Sequence, residues 1–245
     1  MGIEEINMNL FIEKICESYD NNSIIKTDKQ IEDFALFQNE CMYLFDFTQN
    51  EIIYKKGFKN VLGYSEDEIT TDFLFNNIHP DDADILNRIV RAAIVYCLEH
   101  PNYSMNNLLS IKYRRKKRDG TYINVLSQSS IYQTDERGKL SIGLARFSDV
   151  SFMGNCENVK WSFKASNIDN EAFRKEVYRS YQDFFTKREM EIIVEIENGH
   201  TNSEIAEKFN ISEHTVATHR KHILKKSNCH NSEGLILFCK DKCII

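Results

Sequence analysis

Three helix-start signals crowd into residues 186–212, and they constrain this stretch more tightly than any other feature of the sequence. Thr186 is followed three positions later by Glu189, and Thr201 by Glu204. Each pair is a capping box: hydroxyl and carboxylate satisfy backbone N–H groups that the start of a helix leaves open. Asn198-Gly199 ends the first helix, with glycine suited to the left-handed position beyond the last turn. Asn210-Ile211-Ser212 makes a short turn, and Ser212 is a natural N-cap for a third helix. Ile192, Ile193 and Ile196 give the first helix its apolar side, and Ile205, Ala206 and Phe209 give the second its own. Ala206 is small where two helices must approach closely.

Two helices joined by a three-residue turn follow the helix-turn-helix plan. The third helix has two faces. On a wheel of about 100° per residue, Arg220, Ile223 and Ser227 fall within about 40° of Val216, with Leu224 near about 80°. The opposite face carries His214, Thr218, Lys221, His222 and Lys225. Over residues 213–226, Arg220, Lys221, Lys225 and Lys226 stand against a single acid, Glu213. A helix that is apolar on one side, and cationic and rich in donors on the other, suits a DNA major groove. Lysines neutralise phosphates, and Thr, His and Lys reach base edges. Cations also favour any helix C-terminus, so charge alone fits a solvated amphipathic helix as well. The turn geometry ahead of it favours DNA.

The stretch "FTKREMEIIVEIENGHTNSEIAEKFNISEHTVATHRKHILKKSN" resembles the LuxR-type helix-turn-helix, a four-helix DNA-binding domain of bacterial transcription regulators. Its marks are Thr186, Arg188-Glu189, Gly199, Asn202, Glu204-Ile205-Ala206, Ile211-Ser212, Thr215-Val216, His219, Ile223 and Lys226. The resemblance implies that the helix at 213–227 is the recognition helix. It places Ala217, Thr218 and Lys221 against bases, and Thr215, Arg220 and Lys225 near phosphates. The wheel turns Arg220 inward, so its stem packs while its head snorkels outward. Ser227 stands where the family usually has leucine, and "NCHNSEGLILFC" is rich in cysteine. A fourth helix there implies a dimer contact through Leu235, Ile236 and Phe238.

Ahead of this module the pattern changes. Residues 3–19 have apolar residues at near-helical spacing, and "DNNSIIKTD" breaks it. "CMYLFDFTQNEIIYKKG" reads as two strands about a turn at Thr48–Asn50. "HPDDADILNRIVRAAIVYCLEH" reads as a helix with Ile85, Ile89, Ala92 or Ala93 and Tyr96 on one stripe. Strands are expected at Asn107–Arg118, Tyr122–Gln133 and Lys139–Asp149, joined by "RDGT" and "DERGK". With "GFKNVLGYSEDEI" and "NNIHPDDADIL", this order resembles a PAS domain over residues 31–152. The resemblance implies a five-stranded antiparallel sheet with flanking helices. The expected class is therefore α+β: residues 1–30 an N-terminal helix and connection, 31–152 the PAS domain, 153–183 a helical linker, and 184–245 the all-α four-helix domain.

Two motifs in this half invite chemistry and have plainer explanations. In His79-Pro80-Asp81-Asp82 the proline opens a helix and the aspartates favour its positive end. "KYRRKKRD" at 112–119 reads as a strand entering an exposed hairpin with its charges in water, rather than as a nucleic-acid patch. Phe45, Phe47, Ile111, Val125 and Leu144 outline an apolar pocket for an unknown small ligand, or plain core. No cofactor and no metal are implied.

Composition sets outer limits. A net charge of −6 over 245 residues gives no global pull towards nucleic acid, so any such signal is local. No apolar run approaches the roughly 18–20 residues of a membrane span. The acidic N-terminus lacks a basic leader region, and Gly2 lacks the Ser or Thr that myristoylation requires, so no membrane partner and a cytoplasmic place are expected. Seven cysteines without a C-x-x-C suit reduced thiols; Cys229, His230, Cys239 and Cys243 match no standard zinc spacing. No nucleophile elbow and no phosphate-binding glycine loop point to an enzyme. The expected function is a dimeric regulator that binds double-stranded DNA under PAS control, with the transcription machinery as a further partner. The alternative is a PAS-based adaptor without specific DNA binding.

Overall fold

The computed structural model describes residues 7–19, 34–100, 107–154, 158–166, 168–181, 184–242 and 244–245. The chain forms two compact units, one running to Phe173 and the other beginning at Arg174.

The first unit opens with α1 (Met8–Cys16), capped by the Asn7 side chain, which accepts from the Leu10 N–H. The remainder of the 3–19 expectation that lies at 3–6 falls outside the described residues. A hairpin of β1 (Glu40–Asp46) and β2 (Glu51–Lys56) follows. Then come the short α2 (Phe58–Leu62) and α3 (Thr71–Asn76), and the long α4 (Pro80–Glu99). The strands β3 (Leu108–Lys116), β4 (Tyr122–Thr134) and β5 (Leu140–Asp149) complete the expected five. A sixth, β6 (Lys160–Lys164), pairs antiparallel with β3, setting Phe163 opposite Leu109 and Trp161 opposite Ile111. The sheet order is β2-β1-β5-β4-β3-β6. This corrects the expected strand number: "KWSFK" sits inside a polar stretch, but its alternation of aromatic and polar residues is that of a half-buried edge strand.

Gly57 shows how tightly α2 follows the sheet. Its φ is 87°, and a Cβ there would lie 2.5 Å from the Glu40 carbonyl oxygen, so only glycine fits. Helix α4 lays Ile85, Leu86, Ile89, Ala92, Ala93 and Cys97 inward. His79 is its N-cap, its ring nitrogen accepting from the Asp81 N–H at 3.2 Å. Asp82 does more than complement the helix dipole. It is buried, and its carboxylate accepts from the Arg114 backbone N–H (2.8 Å), Nε (3.0 Å) and a terminal guanidinium nitrogen (2.6 Å), tying α4 to β3.

The second unit holds the all-α core. After α5 (Asn170–Val177), the helices are α6 (Lys187–Glu197), α7 (Asn202–Phe209), α8 (Glu213–Ser227) and α9 (Ser232–Asp241). Both threonine–glutamate capping boxes are formed. Ile192, Ile193, Ile205, Val216, Ile223 and Leu235 are fully buried together. Each such side chain contributes about 1.5–3 kcal/mol relative to exposure. Asn210 (φ 52°) and Asn228 (φ 54°) end α7 and α8 in the left-handed conformation, which asparagine tolerates better than most residues.

Candidate nucleic-acid interface and sensory cavity

Helix α8 is held by its neighbours on one side only. Ser212 caps it, accepting from the Thr215 N–H at 3.0 Å. Val216 and Ile223 are fully buried, and Ser227 is nearly so. The Ser227 hydroxyl is satisfied within its own helix, 2.9 Å from the Ile223 carbonyl and 3.2 Å from that of Leu224. His214, Ala217, Thr218, Lys221, His222 and Lys225 are exposed along the other side. Of the base-facing set, all three of Ala217, Thr218 and Lys221 share this open face. The Thr218 hydroxyl donates to the His214 carbonyl at 2.9 Å.

The phosphate set is divided. Lys225 is exposed, and Thr215 is half-buried with its hydroxyl 2.8 Å from that of Ser212. Arg220 is half-buried and donates to the His200 carbonyl at 2.8 Å, so its head braces the connection between α6 and α7. Its Nε has no hydrogen-bond partner among the described residues. Lys226 is also occupied: it pairs with Glu189 at 3.0 Å, the same carboxylate that accepts from the Thr186 N–H at 2.8 Å. Burial pushes the Glu189 carboxyl up, but the Thr186 N–H and the Lys226 ammonium outweigh it and hold it below its ordinary range. Glu195 is anchored in the same manner, by Lys208 at 2.7 Å and His200 at 2.7 Å, and these hydrogen bonds hold its carboxyl low. The second glutamate anchor is invisible to a motif search, because its partners come from the adjacent turn and from α7.

On α9, Leu235 is completely buried within its own unit. Phe238 is half-buried, packing on Tyr181 (6.2 Å between ring centres) and Phe184 (5.8 Å). Ile236 is half-buried, and the apolar side chain most open on this helix is Leu237, 62% exposed. Leu237 was not singled out in the sequence, where it reads as one apolar residue among several.

The first unit contains a partly open cavity of about 130 Å³ between α4 and the sheet, with Ile12 of α1 and Leu74 and Phe75 of α3 also on its walls. Phe45, Phe47, Ile111 and Leu144 line it; Val125 is fully buried but lies off its wall. The expectation that the charges of "KYRRKKRD" all sit in water is overturned at Arg115, which is 1% exposed and lines this cavity. Leu109, Ile111 and Tyr113 face inward on β3, and Arg115 is the next residue of that alternation. The period-2 rule therefore held the signal, and residue type alone obscured it. Burial pushes the Cys97 thiol on the cavity wall up to about 11 and the buried Cys41 thiol of β1 up to about 12, which disfavours the thiolate form of both. Among the described residues no cluster of His, Cys, Asp and Glu could hold a metal; Cys243 lies outside them. No helix among them is long and apolar enough to cross a membrane.

Comparison with known proteins places these features. Residues 183–239 match the family model of bacterial regulatory proteins of the luxR family, and residues 51–144 match a PAS fold. The uncharacterized transcriptional regulatory protein YxjL of Bacillus subtilis is 36% identical over 77 residues, 30% of this chain and 35% of that protein. The oxygen regulatory protein NreC of Staphylococcus carnosus is 35% identical over 77 residues, 31% of each chain. The chain thus spans about a third of the length of these relatives. A solved structure of the VqmA dimer of Vibrio cholerae covers 89% of both chains at 18% identity, with a TM-score of 0.37, an overlap too loose to transfer geometry.

Proposed function

We propose that this chain, which carries a luxR-family helix-turn-helix domain behind a PAS fold, is a DNA-binding transcription regulator whose PAS unit is its sensory part. The observation that carries it is the one-sided anchoring of α8: its apolar face is core, and Ala217, Thr218, Lys221 and Lys225 are left open together. In this function Ala217, Thr218 and Lys221 meet base edges in the major groove, while Lys225 and Thr215 meet phosphates. Arg220 reaches a phosphate only by releasing the His200 carbonyl, so its main contribution is to hold the turn in place. Two copies pair so that their recognition helices lie about one DNA turn, roughly 34 Å, apart. Ile236 and Leu237 on α9 supply an apolar contact for that pairing.

Fluorescence anisotropy on labelled duplexes, titrated with salt, tests the interface. Binding should weaken steeply with salt, because each neutralised phosphate releases counterions. Affinity that is independent of both salt and sequence would instead favour an adaptor that uses the same helices for protein contact.

A further inference from the structure

Arg115 is a buried guanidinium for which the described residues provide no carboxylate. Its Nε donates to the Tyr113 hydroxyl at 3.1 Å, and one terminal nitrogen donates to the Leu74 carbonyl. The other terminal nitrogen has no hydrogen-bond partner among the described residues. The ring of Phe147 lies 4.8 Å from the guanidinium carbon, which offsets part of the charge. Among the described residues no Asp or Glu lines the cavity. A buried charge costs several kcal/mol unless it is paired, so such a site favours an anion that enters. Two further atoms lining the cavity are unsatisfied among the described residues, the side-chain oxygens of Asn87 on α4 and of Asn107 just before β3. Asn107 is 3% exposed, and its amide nitrogen is already turned to the Cys97 sulfur at 3.8 Å. The remaining walls are mostly aromatic and aliphatic, with the hydroxyls of Ser127, Ser129 and Ser130 on β4 among them. A volume of about 130 Å³ is close to that of an apolar cavity known to take one benzene-sized ring, about 150 Å³.

We propose that this cavity binds a small monocarboxylate built on a single apolar ring and bearing a hydroxyl or amino group. The carboxylate meets the open nitrogen of Arg115, and the hydroxyl or amino group donates to Asn87, which lies on α4 near the Arg115 end of the cavity. This deepens, and rests on, the sensory role given to the PAS unit, and it names the chemical class of the signal.

Calorimetric titration of the full chain with 4-hydroxybenzoate, benzoate and benzyl alcohol tests it. The two acids should bind at least about tenfold more tightly than the alcohol, because hydrogen bonds to a buried charge are the strong ones. Arg115→Gln should abolish that preference. Asn87→Leu should remove the advantage of 4-hydroxybenzoate over benzoate, and it serves if Arg115→Gln does not fold. Equal binding of acid and alcohol, no binding of either acid, or an acid preference that survives Arg115→Gln would overturn the proposal. DNA binding of the same preparation is measured alongside. DNA binding without acid binding sinks the cavity proposal and leaves the regulator standing; acid binding without DNA binding supports the cavity proposal and sinks the regulator.

Discussion

Arg220 and Lys221 are neighbours on α8 with different surroundings. Arg220 spends its guanidinium on the His200 carbonyl, and Lys221 holds an exposed ammonium beside Thr218. Their substitutions should therefore separate stability from recognition. Lys221→Ala and Thr218→Ala should each cost about 1–3 kcal/mol of discrimination between the preferred site and a mismatched one, with the thermal midpoint unchanged. Lys225→Ala should weaken all duplexes alike and reduce the salt slope by about one unit. Arg220→Ala should lower the unfolding free energy of the C-terminal unit by about 1–2 kcal/mol, from the lost hydrogen bond and the packing of its stem, as seen by calorimetry of the full chain. Competition binding against a mismatched duplex reads the first pair. If Lys221→Ala and Thr218→Ala bind both duplexes as the parent does, the recognition face lies elsewhere.

At the scale of elements, the C-terminal helices are legible in the sequence because their boundaries are local chemistry. A threonine hydroxyl, a glutamate three residues on and an asparagine in the left-handed conformation act within one turn, so spacing suffices to find them. The strands β3, β4 and β5 are legible for a related reason, since alternation and tight turns are short-range. What stays hidden is long-range. Lys226 reaches Glu189 across the helical unit, and Arg114 reaches Asp82 from strand to helix. Arg115 and β6 were obscured differently: their alternation is present, but charge and polar flanks outweigh it in a reading by residue type. The glutamate anchors give a pH prediction. Both carboxyls are held below the ordinary value of 4.5 in the folded chain, so their stabilisation is complete above that value and is lost as pH falls through the lower folded values. Glu195→Gln should flatten this acid-side loss, measured as the thermal midpoint of the C-terminal unit between about pH 7 and about pH 3. An unchanged slope would show that Lys208 and His200 do not hold the charge in solution.

At the scale of the whole molecule, an acidic chain presents a cationic helix because charge is partitioned by element and not by domain average. Under the proposed function, a net charge of −6 would slow non-specific capture by DNA, and Lys221 and Lys225 would act at short range, within a Debye length of about 8–10 Å. The sensory unit regulates such a helix only if its ligand binds two arrangements of the chain with different affinity, so a ligand that alters DNA affinity must itself bind with an affinity that DNA alters by the same factor. The central claim is that α8 reads DNA sequence. It is tested most directly by selecting bound duplexes from a random pool with the purified full-length protein at physiological salt. Enrichment of a two-fold symmetric site, with half-sites about one helical turn apart and lost in the Lys221→Ala protein, is expected. A pool that stays random for the full chain and for the C-terminal fragment alike would contradict it.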